Sequence, residues 1–309
     1  MPDSADQRAS PPPPTATSRH SVVPVTTPDT AYFELLVVQP EHSWQQLVYW
    51  LPAMGVPARH YLPLAEALAE RGIAMVVHEW RGIGSSDQRA GRDVNWGYRE
   101  LLLDDLPPAM DAVHAQWPQA SMHLAGHSLG GQIASLYAAL HPKRHAGLVL
   151  VASGAPYWRR YPQHVLIALG CMLAPLVAGL VGYLPGRRIG FAGNEARRLT
   201  GDWARTARSG SYAQPDVATD MDGRLAQLQL PVLALRLRDD WLAPAGSVTW
   251  LLGKMPRAPQ TMTVLTPDEL EGQPADHFGW MPSPAPVAQR IADWMAAQPM
   301  AAQPAAAAG

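Results

Sequence analysis

Residues Ser121–Leu140 read SMHLAGHSLGGQIASLYAAL, and the middle of that stretch decides the fold. A short apolar run, Met122 to Ala125, breaks at Gly126-His127-Ser128-Leu129-Gly130-Gly131. It resumes as a helix-like segment with Ile133, Leu136, Tyr137 and Leu140 on one side. Strand, sharp turn and helix is the context in which G-x-S-x-G carries chemistry. The glycines at 126 and 130 leave room for a strained backbone at Ser128, which lifts its hydroxyl above the sheet edge. The following helix aims its N-terminus at the same spot, so the backbone N–H of Leu129 is placed to hold an oxyanion.

Outward from this turn, apolar strand-like runs alternate with helical patterns. Strands are expected at Tyr32–Val38, Gln46–Leu51, Ile73–His78, Gly147–Val151, Val232–Leu237 and Thr261–Leu265. Helices are expected near 59–71, 98–116, 245–252 and 286–297. That alternation is the signature of a doubly wound, mostly parallel α/β sheet. In such sheets the ligand sits beyond the carboxyl ends of the strands, so the polar groups just after each strand are the ones to inspect.

Two stand out beside Ser128. After Val232–Leu237 comes Arg238-Asp239-Asp240-Trp241, where a carboxylate can fix the tautomer of a histidine. Asp240 is the choice and Asp239 the fallback; the competing reading of both is a solvated turn pair. The loop Ala275-Asp276-His277-Phe278-Gly279 then offers His277 as the base. The chain order Ser128, Asp240, His277 is the nucleophile–acid–base order of one fold type. A second oxyanion donor should come from the loop Pro52–Pro57. Proline has no N–H to give, which leaves the N–H of Met54 as the best placement.

Composition narrows the classes. With 309 residues, 47% of them hydrophobic, the chain can bury a sizeable core in one large domain with an insertion. A formal net charge of -2 excludes a phosphate-neutralising role, so no nucleic-acid partner is expected. A single cysteine, Cys171, fits a reducing compartment, and no secretory signal pattern opens the chain; the expected location is cytoplasmic. No histidine pair or cysteine cluster has metal-ligand spacing, so no metal or organic cofactor is implied. The expected organisation is a Pro-rich disordered tail over 1–29, a core over 30–154 and 222–297, an insertion over 155–221, and an Ala/Pro tail over 298–309.

Together, Gly126–Gly131, Trp80-Arg81-Gly82-Ile83-Gly84-Ser85-Ser86, Asp240–Pro244 and Asp276–Gly279 resemble the α/β-hydrolase superfamily, over about Tyr32 to Ala297. The stretch from Pro52 to Asp87 is similar to a bacterial branch of predicted hydrolases near the serine-aminopeptidase and monoacylglycerol-lipase-like groups. Two departures stand out: Pro52-Ala53 where many members have His-Gly, and Glu79-Trp80 where an Asp and an aromatic residue are usual. The resemblance implies that 155–221 is a helical cap and that the chain hydrolyses an ester or related acyl bond of a small hydrophobic substrate. Acyl transfer to another acceptor, peptide or carbon–carbon cleavage, and a non-catalytic receptor remain the alternatives. Within the cap, Val165–Leu184 holds no charged residue. Its glycines and proline, and the strands on either side that must share one sheet, favour cap helices lining an apolar pocket over a membrane span; interfacial lipid contact stays the alternative. Tyr157, Trp158, Trp203 and Tyr212 are the aromatic residues expected to line or cover that pocket. Oligomeric state is not legible.

Overall fold

The computed structural model describes residues 18–190 and 192–298. The expected terminal tails over 1–17 and 299–309 lie outside the described residues. Eight strands form one sheet: β1 (Ser18–Thr26), β2 (Tyr32–Pro40), β3 (Gln46–Leu51), β4 (Ile73–Val77), β5 (Ser121–His127), β6 (Gly147–Val151), β9 (Val232–Leu237) and β10 (Gln260–Leu265). Their order across the sheet is β1-β2-β4-β3-β5-β6-β9-β10. The first two pairings, β1 with β2 and β2 with β4, are antiparallel, and every later one is parallel. Strands β3 to β6 are buried along nearly their whole length, as strands covered by helices on both faces must be.

Helices α1 (Leu62–Ala69) and α9 (Ala285–Ala297) cover one face, over a core holding Trp50, Met75, Val149, Leu235 and Trp280. Helices α2 (Leu106–Gln116), α3 (Leu129–Leu140), α7 (Met221–Gln227) and α8 (Ala245–Gly253) cover the other, over Tyr49, Val76, Leu124, Leu150 and Ala234. Consecutive residues of one strand therefore feed opposite cores, the period of two that a strand imposes.

One boundary is corrected. The stretch before Thr30, expected as part of a tail, holds strand β1: Val23 and Val25 are buried against the neighbouring β2, whose register pairs Val23 with Leu35. Ser, His, Arg and a proline hide this strand from a local reading. Pro24 is tolerated because β1 lies at the sheet edge.

Between β6 and β9 the chain leaves the sheet. The segment holds α4 (His164–Val181), the two-stranded pair β7 (Tyr183–Pro185) and β8 (Asn194–Ala196), the short α5 (Gly186–Ile189) and α6 (Arg197–Ser209). It sits over the carboxyl ends of the parallel strands, because its residues line the same cavity as Ser128 and His277.

Arg81, just past β4, is 5% exposed and donates from Nε to both oxygens of the fully buried Asp105, at 2.7 and 2.8 Å. Its Nη atoms reach Asp29, at 2.7 and 2.8 Å. Removing one partner strands a buried charge, so Arg81→Ala should cost about 3–5 kcal/mol in urea unfolding. Arg81→Lys should recover only a small part, because an ammonium cannot reproduce the guanidinium fork. A loss near zero for the alanine variant would show that water solvates the site.

Candidate functional site

Ser128 joins β5 to α3 with φ 55° and ψ -121°, one of five non-glycine residues with positive φ among the described residues. Its neighbours explain how it is held. A Cβ on Gly130 would lie 2.0 Å from the Leu51 carbonyl oxygen, and one on Gly126 would lie 2.3 Å from the Gly130 carbonyl carbon. The turn is thus pressed against the end of β3, closer than any side chain allows. The Ser128 N–H donates to Val151 O (3.2 Å), and its carbonyl accepts from the Ser153 hydroxyl (2.7 Å). The strained backbone is tied down on both sides while the side chain faces a cavity.

His277 and Asp240 meet across the sheet end. His277 Nδ1 lies 2.8 Å from Asp240 Oδ2, and both side chains are almost wholly buried. The other oxygen, Oδ1, accepts from the N–H groups of Leu242 (2.8 Å) and Ala243 (2.9 Å), so the carboxylate is fixed in orientation. Asp239 is instead on the surface, ion-paired with Arg238, whose guanidinium holds its carboxyl below the usual range. Among the described residues no hydrogen bond within 3.5 Å joins Ser128 to the His277 ring. The two face one cavity, and such contacts commonly close only when substrate is bound.

The loop after β3 places Met54 beside Leu129 at the same cavity. Leu129 is the first residue of α3, so its N–H has no intrahelical acceptor. Among the described residues, no backbone acceptor pairs with the N–H of Met54. Two residues that sequence reasoning missed hold this loop. The Ala53 N–H donates to the Tyr61 hydroxyl (2.9 Å), which pairs with His127 Nδ1 (2.9 Å). The Trp80 indole N–H donates to Pro52 O (2.9 Å), so the Glu79-Trp80 departure braces the loop. His127 points away from Ser128 into the core against Trp280, and burial pushes its pKa well down, keeping it neutral. The only advance signal for Tyr61 was an aromatic residue in the turn before α1.

The cavity has a volume of about 770 Å³. Met54, Ser128, Leu129 and His277 lie along one wall, and Leu166, Ile167, Leu173 and Val177 of α4 along another. Trp203 lines it too. Tyr157 and Trp158 do not: Tyr157 stacks on Trp250 with ring centroids 5.2 Å apart, and Trp158 packs with Arg159 and His164. Tyr212 is fully buried away from the cavity, its hydroxyl 3.3 Å from Gln132 Oε1. Composition located these aromatics in the cap region but could not say which way they point. Tyr161, Trp241 and Phe278 take the expected lining role instead. Cys171 also reaches the cavity, but burial pushes its thiol up to about 11, which leaves it an unreactive apolar group.

The family model described as Serine aminopeptidase, S33 matches residues 42–201. A protein named carbamate hydrolase RutD from Azorhizobium caulinodans is 27% identical over 214 residues, which cover 66% of this chain and 77% of that one. Monoglyceride lipase of Homo sapiens is 27% identical over 114 residues, 37% of each chain. The crystal structure of a hydrolase from Pseudomonas aeruginosa superposes with a TM-score of 0.58 at 19% identity, covering 89% of this chain and 98% of that one. That superposition shows a shared α/β-hydrolase fold, with the sheet and flanking helices in the same arrangement.

Glu195 of β8 is buried beside the Met54–Leu129 wall and accepts from the Gly193 N–H (2.9 Å). Burial pushes its carboxyl up from 4.5 to about 7. A raised folded-state pKa contributes stability that is present at acid pH and lost as pH rises through about 7. Glu195→Gln keeps the acceptor and removes the charge. Urea unfolding should therefore find the two proteins alike near the unfolded pKa of 4.5, and the variant more stable by up to about 3 kcal/mol above pH 7. Parallel stability curves would contradict this assignment.

Proposed function

The chain belongs to the Serine aminopeptidase, S33 family of α/β-hydrolase enzymes, and on that premise we propose that it is a serine hydrolase acting on an ester or related acyl bond of a largely hydrophobic substrate. The observation that carries this reading is the fixed Asp240–His277 pair facing, across one apolar cavity, a serine held in a strained strand-to-helix turn.

With Nδ1–H directed to Asp240, His277 presents the lone pair of Nε2 to Ser128. The serine oxygen attacks the carbonyl carbon as His277 takes its proton, and the carbonyl π electrons move onto oxygen. The N–H groups of Leu129 and Met54 receive that oxyanion. Its collapse breaks the bond to the leaving alcohol, which takes the proton from His277. Water then attacks the acyl-enzyme, again giving its proton to His277, and the second collapse releases the acid and restores Ser128. Asp240 stabilises the imidazolium in both half-reactions. Its two backbone donors, from Leu242 and Ala243, keep it from rotating away.

The cavity wall supports the substrate class. Among the described residues the α4 side is built from Leu, Ile, Ala, Val, Gly170 and Cys171, without a cation to pair with an anionic chain, which suits an aliphatic acyl group. The name of the human relative, monoglyceride lipase, agrees with an acyl ester as the bond attacked. Transfer to an acceptor other than water uses the same machinery, and added alcohols would reveal it as transesterified product.

Turnover of p-nitrophenyl esters of graded chain length tests the reading. kcat/KM should rise from acetate to medium-length acyl chains. Asp240→Asn should lower kcat by a factor on the order of 10⁴ with the fold intact. Rates independent of His277 and Asp240 would reject the mechanism. Tyr61→Phe, which removes the hydroxyl that holds Ala53, should lower kcat by roughly tenfold or more with little change in KM, because the loop's role lies in the transition state.

A further inference from the structure

Helix α4 has 18 residues, none of them charged, yet only 11% of it is buried. A helix that is apolar all round belongs in a core or in lipid. This one buries a narrow stripe, chiefly Cys171 and Ala178, and shows the rest. Val165, Leu169, Met172, Leu176 and Leu180 form a stripe at helical spacing, exposed between 50% and 77%. They lie outside the cavity wall, which uses the neighbouring row Leu166, Leu173 and Val177. Trp241 and Phe278, at 55% and 45% exposure, extend the apolar surface to the cavity's opening. Water is a poor solvent for a continuous patch of this kind.

We propose that α4 and the cavity opening dock onto the interface of an anionic lipid bilayer, with the helix lying in the headgroup plane. Charge decides between occupants. From Asp111 to Glu195 the chain has no intervening carboxylate side chain, while Arg159 and Arg160 precede α4 and Arg187 and Arg188 follow it. All four are exposed. An apolar helix with cations at both ends matches an acyl boundary under anionic headgroups. A second copy fits poorly: antiparallel pairing of two α4 helices would set one copy's Arg159 and Arg160 against the other's Arg187 and Arg188, with no carboxylate between them. Spanning is excluded by connectivity, since α4 is flanked by β6 and β9 of one sheet and its Cys171 carbonyl accepts from Arg208 of α6 (3.1 Å). Docked this way, the cavity opens toward the lipid, and an acyl ester could enter without crossing water.

Flotation of the full chain with phosphatidylcholine vesicles, with and without phosphatidylserine, tests this. The wild type should float with both and more strongly with the anionic ones, and Ser128→Ala should float equally, so the result does not depend on the proposed chemistry. Leu169→Glu combined with Leu176→Glu should weaken binding roughly tenfold or more, while hydrolysis of a short soluble ester is unchanged. Replacing the four arginines by glutamine should remove the anionic preference, roughly fivefold per arginine. The proposal is overturned if the wild type floats with neither vesicle, if the double glutamate variant binds undiminished, or if the lipid-free protein is a dimer that this variant dissociates.

Discussion

The close approach of Gly130 to the end of β3 is the constraint on which the rest of the site depends. A Cβ at that position would overlap the Leu51 carbonyl, so the elbow can sit where it does only with glycine there. The contact does two jobs at once. It forces Ser128 into a backbone conformation that costs about 1–3 kcal/mol, and it brings the first N–H of α3 beside the loop that leaves β3. The Ser128 backbone and the Leu129 N–H are thereby set by backbone geometry, which cannot relax by a rotamer change. The strain is offset locally by the bonds from Ser128 to Val151 and Ser153, and by the two cores that hold β5 and α3 in place.

The loop from Pro52 to Pro57 is the second half of that arrangement, and it is braced from several directions. Tyr61 and Trp80 hold Ala53 and Pro52 from the core side. On the other side Gly55, with φ 77°, has no room for a Cβ, which would lie 2.0 Å from the Gly193 nitrogen. The insertion above the sheet therefore approaches the Pro52–Pro57 loop backbone to backbone at Gly55, and Glu195 sits just behind that contact. A shift of the β7–β8 pair relative to the core would be felt at Met54.

What was legible in the sequence follows from the range of the interaction involved. The strained turn at Ser128 and the Asp240–His277 pair could be read because each needs a particular residue type in a particular local context: glycines where the turn presses on neighbouring backbone, an acid after a strand, a histidine in a late loop. The sheet's buried strands were legible for the same reason. β1 was not, because its pairing with β2 is tertiary and its Pro24, His20 and Arg19 argue locally for a coil. Tyr61 was missed since its partner His127 lies 66 residues away. Tyr157 and Trp158 were expected to line or cover the pocket and do not line it, because the direction of a side chain is not written in composition. The charge-free run of α4 was plain in the sequence; that its apolar side is turned outward is a property of the assembled cap.

The central claim is that Ser128 is an activated nucleophile, and covalent labelling by a fluorophosphonate, read by intact mass, addresses it most directly. The account predicts one adduct per chain on the wild type and none on Ser128→Ala, with His277→Ala labelled far more slowly. An unlabelled wild type that is folded, or an adduct that survives in Ser128→Ala, would contradict it.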